Sequence, residues 1–316
     1  LDNITHGLMG LAIGMLRRRD GGPERDRPLS PTDKAVTLAT FAAAELPDVD
    51  IFFGKGPMAG LEYHRGWTHA LVAAPALALV AAVVAKLIWR KARFGTVYAW
   101  SLGSIFIAHL LNDWFTGWGT RLLLPWSEAR VGLDWIPIVD LLYTVPLLAA
   151  VIMAWRRPTM RQKAALSVML YLAAYAVGFR GLTHTITDGA VAERYTGQAV
   201  QKSSLSPSIF NPLAWTYAKD LGDRYEVGTA YPWGVREPQI IAKAPQDQVI
   251  RAVRNAPELQ PFFAQFRFPV MTYKAAGDGY QVSLADVRYQ MRGRGMSYAV
   301  KLRSDLTVLE VSESGW

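Results

Sequence analysis

Four of the chain's five histidines fall within its first 110 residues, and carboxylates recur among them. Asp2 and His6 are four apart, so a helix starting near Asn3 presents both on one side. Asp2 also reads as an N-cap accepting from the first free amides, a role compatible with metal binding. Asp48 and Asp50 follow Pro47 at the end of a second helix. Acidic groups at a helix C-terminus oppose its dipole, so a nearby cation is expected unless water solvates the terminus. His64 and His69 bracket Arg65-Gly66-Trp67-Thr68, with His64 read as loop and His69 as the first turn of the next helix. Neutral imidazole suits zinc and other first-row metals; the alternative is a pair of interfacial histidines without a ligand. Arg65 reads as a clamp for an anionic substrate or as a contact to lipid phosphates. His109 and Asp113 sit one turn apart inside an apolar segment, where burying both without a partner is costly. Asp140 is a weaker candidate, Glu45 a supporting or snorkelling group, and His184 a domain-junction residue.

The elements that must position these residues are mostly apolar. Thr68–Trp89, Val97–Phe115, Ile136–Trp155 and Lys163–Leu182 read as membrane spans. Asn3–Leu16 and Asp33–Leu46 read as helices of only about 20 Å, short for a full crossing. Three connections are basic: Arg17–Pro31, Lys86–Arg93 and Arg156–Lys163. Placing these on the cytoplasmic side sends every other helix end outward. Those ends carry Asp2 and His6, Asp48 and Asp50, His64 and His69, and His109 and Asp113, so a charge rule blind to histidine collects them at one face. Ile4–Leu16 precedes Arg17-Arg18-Arg19, the reverse of a signal peptide's charge order.

Hydrophobic residues make up 51% of the 316, a value between those of soluble and wholly membrane-embedded chains. The apolar runs stop near Leu182. The expected organisation is therefore a mainly α membrane bundle of four to six membrane-embedded helices over residues 1–182. A β-rich extramembrane domain over residues 183–316 follows. Strands are expected from Tyr225 onward, with Gln281–Tyr289 and Met296–Val311 flanking turns and Ala275–Gly279 as a hairpin turn. Trp215, Tyr217, Tyr231 and Trp233 are expected to rest this domain on the membrane. The net charge of +8 needs no nucleic-acid partner, since no basic helix with interleaved aromatics occurs. The absence of cysteine excludes disulfides and thiolate metal sites. No nucleotide-binding glycine loop, Gly-x-Ser-x-Gly elbow or His-Glu-x-x-His motif is present.

Taken in order, Asp2-Asn3-Ile4-Thr5-His6-Gly7, Leu46-Pro47-Asp48-Val49-Asp50, His64-Arg65-Gly66-Trp67-Thr68-His69 and His109-Leu110-Leu111-Asn112-Asp113 resemble a bacterial inner-membrane family. It is the family described as membrane-bound metal-dependent hydrolases, of YdjM/YbcI type with a longer YfhP-like branch. The similarity runs to about residue 155, and Ala285-Asp286-Val287-Arg288-Tyr289 is similar to the tail of the longer branch. The resemblance implies metal binding by Asp2, His6, Asp48, Asp50, His64, His69, His109 and Asp113. It also suggests a remote likeness to zinc-dependent phospholipase C and single-strand nuclease folds, which are helical and carry clustered zinc. The chain starts at Leu1 where the family pattern has Met, and no ligand role is assigned to the terminal amine.

The expected function is hydrolysis at the membrane surface with two or more zinc or other divalent ions. Asp48 or Asp50 would bridge metals or take a proton, while Arg65, helped by Arg121, would bind the phosphate of a lipid phosphoester. The expected location is the inner membrane, multi-pass, with the site and the C-terminal domain extracytoplasmic and lipids as partners. Two other readings compete: a non-catalytic, metal-stabilised membrane scaffold, and a metal transporter. The transporter ranks last because its ligands would sit on broken helices at mid-membrane.

Overall fold

The computed structural model describes residues 1–17, 29–289 and 295–314. Most of the basic Arg17–Pro31 connection lies outside the described residues. The chain forms two compact units, one from Leu1–Phe53 and Tyr63–Leu182, the other from Gly54–Glu62 and Thr183–Trp316.

The first unit is helical. Its elements begin with α1 (Asn3–Leu16) and α2 (Pro31–Glu45), the latter closed by a capping box between Ser30 and Asp33. Pro47 opens a 3-10 turn over Leu46–Phe52. After a short helix α3 (Ala59–Tyr63), which falls in the second unit up to Glu62, a second 3-10 turn, Trp67–His69, precedes α4 (Ala74–Ile88). Then come α5 (Phe94–Ser104), a π segment (Ile105–Leu110) and α6 (Leu111–Phe115), continuous as one helix. The unit ends with α7 (Leu141–Arg156), α8 (Arg161–Ala173) and a second π segment (Ala174–Gly181); α9 (Leu182–Arg194), which continues it, belongs to the second unit from Thr183 on.

The pattern of burial in this unit inverts that of a soluble bundle. In α4 the buried positions are Ala74, Ala78, Ala81, Ala82 and Ala85, whereas Leu79, Val80, Val83, Val84 and Leu87 are exposed. Small residues inside and large aliphatic ones outside suit helices packed in lipid, where close backbone approach holds neighbours together. The α1–α2 contact follows the same logic. A Cβ on Gly10 would lie 2.5 Å from the Thr40 carbonyl oxygen, and one on Gly14 2.5 Å from Thr40 Oγ1.

Phe94–Phe115 and Pro158–Arg194 are long and apolar enough to cross a membrane, and Ala59–His69 with Ala74–Ile88 is a third candidate, bent by 81°. The expected four to six membrane helices are thus supported for two or three among the described residues, with α1 and α7 apolar but shorter. Ile136–Trp155 is helical only from Leu141, because Asp140 caps the helix by accepting from the Leu142 amide. Lys163–Leu182 is part of the longer helix ending at Arg194. His69 lies before α4 rather than in its first turn.

The second unit carries two antiparallel sheets. The first contains β1 (Lys202–Pro207), β2 (Trp215–Asp220), β3 (Arg224–Tyr231) and β4 (Gly234–Val235) in that order, with β5 (Gln239–Ala242) paired to β3. Helices α10 (Gln248–Asn255) and α11 (Gln260–Gln265) lead to the second, β6 (Pro269–Ala276), β7 (Gly279–Asp286), β8 (Ser297–Leu302) and β9 (Val308–Glu313). Strands therefore start earlier than Tyr225. Trp215 and Tyr217, expected at the membrane, are fully buried and pack with Tyr195, Leu205 and Ala230. They alternate onto the inner face of β2, which the sequence alone did not distinguish from an outer one. Trp233 is exposed and stacks on Tyr231, and His184 sets its ring edge-on to Trp215.

Candidate metal centre

The first unit brings four chain segments to one point. Asp2 caps α1, its carboxylate accepting from the Thr5 amide at 3.0 Å and from Thr5 Oγ1 at 2.6 Å. One turn on, His6 Nδ1 lies 2.7 Å from the Ala108 carbonyl oxygen and its ring stacks on His109 at 4.0 Å. The π segment over Ile105–Leu110 inserts an extra residue per turn just where His109 must face inward. His109 Nδ1 then lies 2.6 Å from the Ala44 carbonyl oxygen at the end of α2.

The 3-10 turn after α2 points Asp48 and Asp50 the same way, and both are buried. Opposite them, Arg65 adopts a positive φ of 58°, which turns its amide toward Asp50 Oδ2 at 3.1 Å. Thr68 Oγ1 donates to the same oxygen at 2.6 Å. His69 Nδ1 sits 3.1 Å from Asp50 Oδ2 and its Nε2 turns to the other side of the ring, toward Asp48.

The result is a buried group of four, Asp48, His69, His109 and Asp113, able to hold a metal ion. His69 Nε2 lies 3.0 Å from His109 Nε2, 3.2 Å from Asp48 Oδ1 and 3.4 Å from Asp113 Oδ2. His109 Nε2 lies 3.5 Å from each of those carboxylate oxygens. Donors about 2.0–2.1 Å from a tetrahedral ion stand about 3.3 Å apart, the spacing seen here. His6 Nε2 reaches Asp113 Oδ1 at 3.3 Å. Both His6 Nε2 and Asp113 Oδ2 are buried without a hydrogen-bond partner, a costly state that a cation relieves. In all three histidines an acceptor near Nδ1 fixes the tautomer that leaves Nε2 free to bind metal. Protons on the rings and a metal ion compete for the free Nε2 positions.

A second group, Asp50, His64 and His69, adjoins the first. His64 Nδ1 lies 2.8 Å from Asp50 Oδ1, and its side chain is 24% exposed while the other histidines of the centre are fully buried. His69 serves the two groups through different nitrogens, so filling both at once needs its ring to bridge. Burial alone would raise both aspartates. Hydrogen bonds with His109 and His69 instead hold Asp48 well below the carboxylate range, and His64, His69 and Thr68 do the same for Asp50. Glu45 goes the other way, pushed up to about 7 by burial and by the charges of Asp48 and Asp2.

Arg65 departs from its expected role. Its guanidinium is buried against Asp113 Oδ1 at 2.9 Å and donates to Thr116 Oγ1 at 2.8 Å, so it holds a carboxylate of this chain. The Leu1 nitrogen is 2.6 Å from the same Asp113 oxygen. Asp140 is occupied elsewhere, by Tyr175 and the α7 cap. Of the eight ligand candidates the structure gathers seven, and Asp2 is given to the helix cap. Sequence reasoning missed Thr68, which orients Asp50, and Arg130, whose Nη1 lies 3.4 Å from the His64 carbonyl oxygen. Thr68 was within the quoted motif and its hydroxyl was the available signal; Arg130 carried none.

The chain matches the YdjM inner membrane protein family over residues 1–186, a span that contains every one of these residues. It is similar to the protein YfhP of Bacillus subtilis (strain 168), 25% identical over 339 residues covering 100% of this chain and 95% of that protein. It is also similar to the inner membrane protein YbcI of Escherichia coli (strain K12), 31% identical over 137 residues, 42% of this chain and 72% of that one. No solved structure matches it.

Proposed function

The chain belongs to the YdjM inner membrane protein family, and from that premise we propose that it is a membrane-bound, metal-dependent hydrolase acting on a lipid phosphoester. The observation that carries the reading is the tetrahedral spacing of Asp48, His69, His109 and Asp113, with the unpartnered His6 Nε2 beside them. These residues hold the first ion, zinc by the character of the donor set. The adjoining Asp50, His64 and His69 would be an alternative position for an ion, reached through the His69 Nδ1 that otherwise faces Asp50. When bound, such an ion supplies Lewis acidity and makes water acidic enough to ionise near neutral pH.

The chain's own groups do the rest. Asp50 keeps the His69 ring in register, and the partly exposed His64 beside it takes and passes a proton at the mouth of the site. Arg65 fixes Asp113 so that Oδ2 faces the centre, a positioning role in place of the substrate clamp expected from sequence. Membrane lipids are the substrate source because the unit that carries the site is the one with lipid-facing aliphatic helices.

The inner-membrane location follows from the family. The basic connections Lys86–Arg93 and Arg156–Lys163 support a multi-pass arrangement with the site on the extracytoplasmic side. Cysteines introduced singly into this Cys-free chain, at Ser127 and at Arg157, test it: labelling by an impermeant reagent is expected at the first only.

The test of activity is turnover of a phospholipid panel by detergent-purified, zinc-loaded protein. Release of a phosphorylated headgroup or of phosphate, absent in Asp113→Ala, is expected. A second reading, a metal-stabilised scaffold without turnover, draws on the full burial of His69, His109 and Asp113. Metal binding with no product across lipid classes would favour it.

A further inference from the structure

We propose that Asn112, held in place by Tyr143, is the residue that positions His6 and His109 for the metal ion, an inference that rests on the metal-dependent reading and names what sets two of its ligands.

His109 and Asp113 lie on a helix whose hydrogen-bond register changes. The Leu111 amide reaches back five residues to the Phe106 carbonyl, whereas α6, which starts at Leu111, bonds four residues back. Passing from the wider register to the narrower one skips a carbonyl, and that carbonyl belongs to Ile107. A buried carbonyl without a donor is costly, so the π segment needs one from outside the ladder. Asn112 supplies it, its Nδ2 donating to the Ile107 carbonyl at 2.7 Å. The same Nδ2 donates its other hydrogen to the Ala108 carbonyl at 3.1 Å.

Ala108 is where this clamp meets the centre. His6 Nδ1 lies 2.7 Å from its carbonyl oxygen. A carbonyl only accepts, so the proton of the neutral ring sits on Nδ1 and Nε2 is left for the ion. Moving that oxygen turns the His6 ring. The next residue, His109, is stacked on that ring at 4.0 Å and moves with the same piece of backbone.

The amide is also held from the other side. Tyr143 Oη donates to Asn112 Oδ1 at 2.6 Å, which fixes the two ends of the amide as oxygen and nitrogen. Both residues are buried, and Tyr143 comes from α7, a helix that contributes nothing to either group of ligands. Asparagine in a helix interior otherwise competes with the backbone and weakens the helix. Leucine fills the same space; what it lacks is a donor for Ile107 and Ala108.

The experiment uses the full chain in detergent and takes three readouts. Zinc affinity is measured by chelator competition. The visible spectrum of cobalt(II)-loaded protein reports coordination geometry. Histidine-selective nitrogen NMR of metal-free protein at pH 8 reads which His6 nitrogen carries the proton, with the signals assigned by their absence from His6→Gln. Asn112→Asp keeps the shape of the side chain and the bond from Tyr143 but loses both donors. It is expected to lower zinc affinity by about 10-fold or more, to change the cobalt spectrum at saturation and to move part of the His6 proton off Nδ1. Tyr143→Phe removes one hydroxyl and serves where Asn112→Asp does not fold; a loss of about threefold in affinity is expected. Ser101→Ala is the control, since it deletes a buried bond of 2.9 Å to the Val97 carbonyl on the same helix. All three readouts should stay at their wild-type values in it, whatever happens to Tm.

Wild-type affinity, spectrum and tautomer in both Asn112→Asp and Tyr143→Phe, with only Tm lowered as in Ser101→Ala, would overturn the proposal. If Asn112→Asp does not fold, wild-type readouts in Tyr143→Phe alone overturn it. An Asn112-dependent tautomer in a chain that takes up no metal would keep the positioning role and remove the metal-dependent reading. Zinc uptake with affinity and tautomer independent of Asn112 would do the reverse.

Discussion

His69 and His109 face each other through their Nε2 atoms at 3.0 Å, each ring with an oxygen acceptor beside its Nδ1. Two lone pairs at that distance repel unless a proton or a metal ion lies between them, and Asp48 and Asp113 add two carboxylates to the same point. The centre is therefore a place built for positive charge, and the predictions below ask which charge it holds.

Asp50 acts through His69. Replacing it with asparagine keeps the shape of the side chain but loses the acceptor that fixes the imidazole tautomer. Zinc affinity is expected to fall by about 10–100-fold, the usual effect of removing a carboxylate behind a metal-bound histidine. Competition with a chromophoric chelator reads it, and an unchanged dissociation constant would refute the orienting role.

Acid should empty the centre through its histidines. Asp48 and Asp50 are held below their ordinary value of 3.8, so what their ionisation adds to stability is present above that value and lost only as pH falls further. Protons compete with metal for imidazole nitrogens, whose ordinary value is about 6.5. Half-release of zinc is expected between about pH 4 and 6.5, and a midpoint below about pH 3 would assign the binding to carboxylates alone.

Glu45 gives a separate pH signature in metal-free protein. Its carboxyl is raised to about 7, so its contribution is full below 4.5 and lost as pH rises through 7. Glu45→Gln removes that loss. After discounting for screening of a half-buried group, a gain of about 1 kcal/mol, or about 2–4 °C in Tm, is expected at pH 8. At pH 5 wild type and variant should melt together. Equal melting at both values would contradict the burial argument.

Gly10 holds α1 against α2, and α1 carries His6. Gly10→Ala puts a methyl 2.5 Å from the Thr40 carbonyl oxygen and is expected to cost about 1–3 kcal/mol. Because the strain separates the helices, zinc affinity should fall with stability. Thermal melts beside chelator competition check both, and a neutral substitution would show that the helices have slack.

Much of this was legible in the sequence because helix spacing and polarity speak locally. Asp2 as cap, α1 from Asn3 to Leu16, and the pairing of His109 with Asp113 all follow from separations of three or four residues. What was not legible depends on tertiary detail. The π segment before His109 and the positive φ at Arg65 are backbone departures that no periodicity signals. Arg65 was read as facing a substrate, yet Asp113, 48 positions later, is its partner. Trp215 and Tyr217 were read as membrane anchors because aromatic residues suit both interfaces and cores, and only strand pairing separates the two.

The most direct measurement is elemental analysis of purified wild-type protein beside His69→Ala and Asp113→Ala. The account predicts at least one tightly bound zinc or comparable divalent ion per chain in wild type and a loss of metal in both variants, each still folded by its elution profile. Wild-type protein that stays metal-free after incubation with zinc and manganese would contradict it. The buried pair of imidazoles would then be held together by a proton.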